Sequence, residues 1–230
     1  MGRSSDPTAQ PFSDPKLVSA YAEDTPRKVP GLADLHRMAM LLLAERAPAG
    51  AEILVLGAGG GLELKAFSEA QPSWRFVGVD PSAEMLELAR RILPPHESRV
   101  RLQLGYVDDA PAGPFDGAVC LLVLHFLSRD ERLHVLKQLR RRTRPGAPLV
   151  VAHHGLPARG EAARWLSLSA AFADRSGADA ARSAASGALM AERLQVLSDP
   201  EEEELLREAG FSGIALFYAG LSFRGWVAVA

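Results

Sequence analysis

Cysteine is almost absent from this chain of 230 residues: Cys120 is the only one. A single thiol excludes a disulfide framework and a cysteine-based zinc cluster. The thiol lies in the apolar run 118–124, which favours a buried structural cysteine over a nucleophile. No stretch is long and apolar enough to span a bilayer, and residues 1–14 are polar and lack the core of a signal peptide. We therefore expect a cytoplasmic protein that does not enter membranes.

A strong charge of either sign is also missing. The formal net charge is -2 and the isoelectric point is about 6.3, so no overall basic field attracts nucleic acid. A local basic cluster covers residues 137–144, near the end of a predicted helix, where cations favour the helix dipole. We expect a small-molecule partner rather than a nucleic acid, and a homodimer stays open as the assembly.

The most informative motif is a glycine turn between two predicted strands. Residues 53–61 read ILVLGAGGG, and residues 77–80 read VGVD. A buried strand, a glycine turn at a helix start and a second strand ending in a carboxylate are typical of sites for adenosine-bearing ligands. The dinucleotide fingerprint G-x-G-x-x-G is incomplete, because Leu62 stands where its last glycine belongs. No P-loop lysine follows, so the turn is not built for a row of phosphates.

Hydrophobic periodicity predicts an alternation of strands and helices. Helices are predicted over residues 32–45, 61–70, 82–93, 130–142 and 199–209, and strands over residues 53–56, 75–79, 100–104, 117–122, 148–152, 214–218 and 225–229. Apolar strands separated by helices favour a parallel sheet covered on both faces, and the last two strands form a hairpin. The predicted fold is α/β and Rossmann-like: a seven-stranded, mostly parallel sheet with an antiparallel C-terminal hairpin and helices on both faces.

The domain organisation follows from the same patterns. Residues 1–26 are predicted as a flexible N-terminal arm and residues 27–230 as a single domain. An alanine-rich insertion over about 158–197, interrupted by Gly177 and Gly187, predicts a lid of two or three short helices over the open edge of the sheet. In the helix over 199–209, we expect Asp199 as the N-cap and Pro200 at the first helical position.

Several motifs in one order resemble class I S-adenosylmethionine-dependent methyltransferases. They are the G-x-G-x-G turn, Asp80-Pro81-Ser82-x-x-Met85, Phe115-Asp116-x-x-Val119, the Pro145-Gly146 turn and the C-terminal hairpin. The resemblance covers nearly the whole chain from Arg27 onward. It implies S-adenosylmethionine as the cofactor and methyl transfer as the activity.

Within that superfamily, the chain is also similar to the carboxy-S-adenosylmethionine synthases of tRNA wobble-uridine modification. The matching segments are Arg27-x-Val29-Pro30-Gly31, Leu124-x-Phe126-Leu127 and Ala209-Gly210-Phe211. Two departures favour the plain cofactor. Leu32 replaces a tyrosine of that family, and Gly187 aligns with its lid arginine, for which Arg182 is the nearest alternative. Without such a cation, a second carboxylate on the cofactor is poorly compensated.

The resemblance implies a set of cofactor-binding residues. Gly57 and Gly59 leave room for the methionine moiety, whose carboxylate meets backbone donors there, and Asp80 accepts from the ribose hydroxyls. Met85 resembles the residue that lies against adenine, although core packing also explains it. The full set is Arg27, Gly57, Ala58, Gly59, Asp80, Pro81, Met85, Tyr106, Val107, Asp108 and Leu121.

The adenine edge departs from the family, because Tyr106 stands where an acid is usual. Recognition of that edge then falls to the Val107 backbone and to Asp108. The backbone of Leu121 is expected to touch the cofactor, and a core role for its side chain is the alternative.

Three histidines lie just past the ends of the fourth and fifth predicted strands, at the edge where open α/β sheets bind ligands. His125, His153 and His154 are therefore candidates for an acceptor pocket, since histidine titrates near neutrality. A structural role is the alternative for each of them. No metal site is predicted, because no carboxylate ligand or helical His-x-x-x-His accompanies them.

The first functional hypothesis is a methyltransferase acting on a small molecule. Carboxy-S-adenosylmethionine synthesis and a tRNA-linked activity share the fold and stay as alternatives. A non-catalytic S-adenosylmethionine-binding module is supported only by the missing acid at Tyr106. An NAD-linked oxidoreductase is disfavoured by Leu62 and by the antiparallel hairpin.

Overall fold

The computed structural model describes residues 15–157, 160–174 and 179–230. Its helices are α1 Pro15–Lys28, α2 Leu32–Ala44, α3 Leu62–Ala70, α4 Ala83–Ile92, α5 Arg129–Arg142, α6 Ala162–Ala173, α7 Ala180–Arg193 and α8 Asp199–Glu208. Its strands are β1 Glu52–Leu56, β2 Arg75–Asp80, β3 Val100–Leu104, β4 Gly117–Leu121, β5 Pro148–His154, β6 Ser212–Gly220 and β7 Phe223–Val229. Within these residues, no helix combines the length and apolar composition that a bilayer crossing needs.

The seven strands form one sheet in the order β3-β2-β1-β4-β5-β7-β6. The first five strands pair in parallel, whereas β7 runs antiparallel to both β5 and β6. The predicted fold class is thus confirmed, including the C-terminal hairpin. Chain order reverses between β1 and β4, and at such a switch point the carboxyl ends of the strands leave a crevice open for ligands.

Helices cover the sheet on both faces and divide its core in two. Helices α2, α3 and α4 pack on one face against Ile53, Val55 and Phe76. Helices α5 and α8 pack on the other face against Leu54, Val77 and their neighbours. Consecutive residues of β1 are therefore buried on opposite faces, which explains why the strand reads as a continuous apolar run.

Serine residues cap the starts of α5 and α8. The side chain of Ser128 accepts from the amide of Glu131, so α5 begins at Arg129 and not at Asp130. Ser198 and Glu201 form the same reciprocal capping box at α8. The prediction that Asp199 is the N-cap was wrong, because the hydroxyl and amide of Ser198 already bind the carboxylate of Glu201.

We predicted a flexible arm over residues 1–26, but residues 15–26 of it are helical. Residues 15–28 form α1, which packs against α2, α4 and α6. Val18 and Thr25 of this helix are buried, and Val29 follows it into the core. The sequence pattern concealed the helix because Pro26 lies inside it and charged residues occupy its exposed side. Residues 1–14 lie outside the described part of the chain.

The alanine-rich insertion forms a helical hairpin of α6 and α7 between β5 and α8. Gly187 lies where the two helices cross, and a β-carbon there would overlap Ser167 of α6. Its role in the structure is close helix packing. Arg182 forms exposed ion pairs with Asp174 and Asp179, and Gly177 lies outside the described residues.

Candidate functional site

A cavity of about 550 Å³ opens at the carboxyl ends of β1, β2, β3 and β4. Small-molecule sites span roughly 300–1,000 Å³, so a nucleoside-sized ligand fits. Nine of the eleven predicted cofactor-binding residues line it: Gly57, Gly59, Asp80, Pro81, Met85, Tyr106, Val107, Asp108 and Leu121. The cavity continues between the loop after β3 and the first half of α5, along Phe126, Leu127, Asp130, Glu131, His134 and Val135.

The glycine turn is required by backbone geometry and by close packing. Gly57 and Gly59 have φ angles of 72° and 46°, a region that favours glycine. A β-carbon at Gly57 would overlap the side chain of Val123, which follows β4. The turn therefore packs directly against the β4 loop, and Gly57 and Val123 both line the cavity.

The amides of this turn are already bound within the protein. Gly57 and Ala58 both donate to the carbonyl of Val79, at 2.8 and 3.1 Å. The amide of Gly59 donates to Asp80 Oδ2 at 2.8 Å. We expected these donors to meet the carboxylate of a ligand, and the structure instead uses them to join the ends of β1 and β2.

Asp80 is the buried anion at the floor of the cavity. Its two carboxylate oxygens accept from the amides of Gly59 and Ser82, at 2.8 and 2.9 Å. Burial raises the pKa of this carboxyl, and the two amides partly oppose that rise. Each oxygen keeps a further lone pair. The carboxylate is thus fixed in place and can accept additional hydrogen bonds from hydroxyl groups of a ligand.

Apolar side chains shape the middle of the cavity. Met85, Val107 and Leu121 are buried and present their surfaces to it. Leu122, which follows β4, has a φ of 61°, a conformation that is uncommon for a residue with a branched side chain. Such local strain is frequent at ligand sites. The combination of flat apolar walls and a fixed carboxylate suits an aromatic base joined to a sugar.

The outer edge of the cavity carries a hydrogen-bonded pair of a histidine and an aspartate. His134 Nε2 lies 3.0 Å from both carboxylate oxygens of Asp108, and both side chains are largely exposed. Asp108, predicted to recognise the adenine edge, therefore already has a partner on α5. His134 could not be predicted from the sequence, because it belongs to no motif and lies on an ordinary amphipathic helix.

Tyr21 is a cavity residue that sequence reasoning missed. It lies on α1, lines the cavity and contacts the glycine turn: a β-carbon at Gly59 would lie 3.5 Å from its hydroxyl oxygen, and one at Gly60 would lie 3.0 Å from its ring. Burial raises the pKa of its hydroxyl, and Glu63 and Asp80 add to the rise. Only the tertiary path of α1 brings this side chain to the site.

Two predicted cofactor residues lie elsewhere. Arg27 ends α1 with its side chain half exposed and paired with Asp24 at 3.7 Å, outside the cavity lining. Ala58 is fully buried beneath the turn. Its contribution is the amide that holds the turn to β2.

The three candidate histidines do not line the cavity. His125 and His154 are buried, and the amide of His154 donates to His125 Nδ1 at 3.3 Å. His154 Nδ1 lies 2.7 Å from the hydroxyl of Ser222, which lies 2.6 Å from that of Ser169 on α6. Burial lowers the pKa of His154 to about 3 and that of His125 well below its usual value. Both are neutral structural groups near pH 7.

His153 belongs to a second buried network on the other side of β5. Its Nε2 lies 2.8 Å from Glu202 Oε1, and the same oxygen accepts from the guanidinium of Arg132. Arg132 also donates to the carbonyl of Leu127 at 3.2 Å. Burial alone would raise the pKa of Glu202, but His153 and Arg132 outweigh it and lower the pKa. The network joins β5, α5 and α8.

Comparison with known proteins agrees with the fold and with the cavity. The Methyltransferase domain family matches residues 54–149, which run from β1 to the start of β5 and include the glycine turn, Asp80 and the β4 loop. Together with the relatives and solved structures below, this match supports the class I S-adenosylmethionine-dependent methyltransferase superfamily for this chain.

Individual relatives of this methyltransferase are distant. The carboxy-S-adenosyl-L-methionine synthase of Chromohalobacter salexigens is 28% identical over 94% of this chain and 82% of that protein. Human N-acetylserotonin methyltransferase, solved with S-adenosylmethionine, has a TM-score of 0.66 at 15% identity over 99% of this chain. A chain of the Haloferax volcanii complex between the Trm112 activator and a methyltransferase has a TM-score of 0.65 at 19% identity, over 99% of both chains. The present chain spans 60% of the human enzyme.

Proposed function

We propose that the chain binds S-adenosylmethionine in the cavity and transfers its methyl group to a small-molecule acceptor. The observation that carries the proposal is Asp80, a buried carboxylate fixed by two amides at the floor of a cavity of about 550 Å³. Its free lone pairs suit two ribose hydroxyls. Met85 and Leu121 offer apolar surfaces to an adenine ring, and the small residues of the glycine turn leave space for the methionine end.

The protein side of the reaction is alignment and exclusion of water. A bound sulfonium cofactor supplies a methyl group that is already activated. The glycine turn and Val123 pack together at one side of the cavity, and Tyr21 covers the turn from α1. Positioning of this kind accounts for most of the catalysis that methyl transfer requires.

The charged residues that line the cavity favour this proposal over its alternatives. Among the described residues that line the cavity, none is Lys or Arg. A cofactor with a second carboxylate, as in carboxy-S-adenosylmethionine synthesis, would find no cation there. Arg182, in the first turn of α7, does not line the cavity and pairs with Asp174 and Asp179. The pyrophosphate of NAD would meet a glycine turn whose first three amides are already bound.

The basic cluster at the end of α5 offers no support for a tRNA substrate. Arg140 donates to the carbonyl of Gly210, and Arg142 donates to the carbonyls of Ala110 and Gln138. These side chains satisfy carbonyl groups at the ends of secondary structure elements. A small acceptor is the class that agrees best with an acidic, apolar cavity.

Calorimetric titration tests the cofactor part of the proposal. S-adenosylmethionine and its demethylated product should bind at one site per chain, and NAD should not bind. A transfer screen with radiolabelled methyl donor against small-molecule and tRNA pools then tests the acceptor class. Label found only in tRNA would contradict the small-molecule part, and absence of binding by both adenosyl ligands would contradict the whole proposal.

A further inference from the structure

Glu63 is a buried acid beside the proposed cofactor site. It is the second residue of α3, directly after the glycine turn, and only 6% of it is exposed. Among the residues that the structure describes, it forms no ion pair with a cationic side chain. A buried carboxylate without a cation is costly unless it is protonated or a ligand supplies the charge.

The groups that face Glu63 are acids or neutral. They are Tyr21 of α1, Asp80 at the end of β2 and Cys120 of β4. Among the described residues, the cations on or beside α3 have other partners: Lys65 pairs with Glu69 at 4.0 Å, and Arg99 binds the carbonyls of Ser68, Gln71 and Trp74. His36 of α2 contacts Phe67 edge-on, and burial lowers its pKa to about 4. Burial, reinforced by Asp80, raises the pKa of Glu63 to about 8, against a smaller opposing effect of its own amide.

The cavity next to Glu63 is likewise lined by more acidic than basic side chains. Its charged lining within the described residues consists of five carboxylates and one histidine: Asp80, Asp108, Asp109, Asp130, Glu131 and His134. Such a cavity attracts cations, because its walls are apolar and no lysine or arginine neutralises the acids. The sulfonium and ammonium groups of S-adenosylmethionine both belong to its methionine end, which the proposed function places at the glycine turn.

We propose that Glu63 makes the site prefer the sulfonium cofactor over its neutral thioether product, by losing its proton to solvent when the sulfonium binds. The proposal rests on the proposed function. The released proton leaves a carboxylate opposite the cation, and no other bond changes. After methyl transfer the sulfur is neutral, so Glu63 takes up a proton again and the product is held less tightly. The residue acts through charge, since it does not line the cavity itself.

Proton release on binding tests the proposal without any mutation. Calorimetry in two buffers of different ionisation enthalpy, at about pH 7, gives the number of protons exchanged. We expect wild-type protein to release up to one proton with S-adenosylmethionine and clearly fewer with the product. The dissociation constant for the sulfonium should fall by up to about tenfold per pH unit and level off above about pH 8, since an ionised Glu63 then has no proton to lose.

Glu63→Gln provides the matched test, because glutamine mimics the protonated acid in shape and polarity. We expect its preference for sulfonium over thioether to fall about tenfold, which corresponds to one pKa unit, and the extra proton release to vanish. Glu69→Gln, an exposed acid on the same helix, should leave both unchanged. The amino group of the ligand contributes the same number of protons with wild type, Glu63→Gln and Glu69→Gln. Its contribution therefore cancels when the three proteins are compared.

The two possible failures are distinguishable. If Glu63→Gln keeps the preference and the proton release of wild type, the inference is overturned while the proposed function stands. If wild-type protein binds neither adenosyl ligand, the proposed function itself fails.

Discussion

Two regions at the same edge of the sheet differ in what they do with buried polar groups. At the ends of β1 and β2, Asp80 lies beside open space and binds only backbone amides. At the end of β5, His153 and His154 bind other side chains from α8 and the β6–β7 turn. A polar residue at the ligand edge becomes a candidate for binding only where the neighbouring elements leave space in front of it.

The difference has a simple structural cause. The strands β1 and β2 are followed by a glycine turn and a short Asp-Pro-Ser loop, which keep side chains away from the crevice. The strand β5 is followed by the α6–α7 hairpin and flanked by β7, which cover its end with Ser169, Ser222 and Trp226. The predictions below test whether the β5 region supports the fold and the β1–β2 region binds ligand.

The largest expected effect is on stability, at the β5 end. Glu202→Ala leaves the guanidinium of Arg132 buried without its anion, and removing one partner of a buried pair costs about 3–5 kcal/mol. Urea unfolding should show this loss, while folded variant binds the demethylated cofactor as wild type does. Glu203→Ala, which breaks only a surface pair with Arg207, should cost less than about 1 kcal/mol. Equal losses for the two variants would disprove the role of the buried network.

A smaller effect follows from the pH dependence of the buried histidines. His154 has a pKa of about 3 in the folded protein and about 6.5 unfolded. Between these values the unfolded chain binds the extra proton, so stability falls as pH drops below 6.5. The slope from this group is about 1.4 kcal/mol per pH unit.

Replacement of His154 by Asn should flatten that dependence, because an amide oxygen can accept from Ser222 without titrating. Urea unfolding at several pH values measures the slope. Ser222→Ala serves as the control: it removes the hydrogen bonds of the Ser222 hydroxyl to His154 and Ser169 at every pH and keeps the slope of wild type. An unchanged slope in His154→Asn would mean that the histidine is not buried in its neutral form.

The smallest expected effect is a change in ligand affinity at the cavity. Tyr21→Ala uncovers the glycine turn, so affinity for the demethylated cofactor should fall about tenfold, or about 1.4 kcal/mol. Tyr218→Phe, on the hairpin, removes a hydrogen bond to the carbonyl of Pro30 and should lower stability by about 1 kcal/mol without changing affinity. Calorimetry and urea unfolding on both variants separate the two effects. If affinity changes in Tyr218→Phe and not in Tyr21→Ala, the assignment of the two regions is wrong.

The sequence predicted the fold and most of the cavity because both depend on local patterns. The glycine turn, the strand that ends at Asp80 and the alternation of strands and helices are each visible within about thirty residues. The order of these motifs then predicted a mostly parallel sheet with an antiparallel C-terminal hairpin, whereas the strand order comes from the structure.

Residues that depend on tertiary packing could not be predicted. Tyr21 and His134 lie on amphipathic helices that show no motif, and only the path of α1 and α5 brings them to the cavity. The histidines after β5 have the right sequence position for a site, but Glu202 and Ser222, some fifty and seventy residues away, pair with them. The burial of Glu63 likewise depends on α1 and the sheet.

The most direct test of the central claim is the affinity for the demethylated cofactor after Asp80→Asn. The change removes the charge at the cavity floor, and the loss of two charge-assisted hydrogen bonds at about 1.5 kcal/mol each predicts about 100-fold weaker binding. Asp116→Asn is the control, since that carboxylate also accepts from a backbone amide, of Glu52 at 2.9 Å, but at the opposite end of the sheet. Unchanged binding in Asp80→Asn, or an equal loss in Asp116→Asn, would contradict the account.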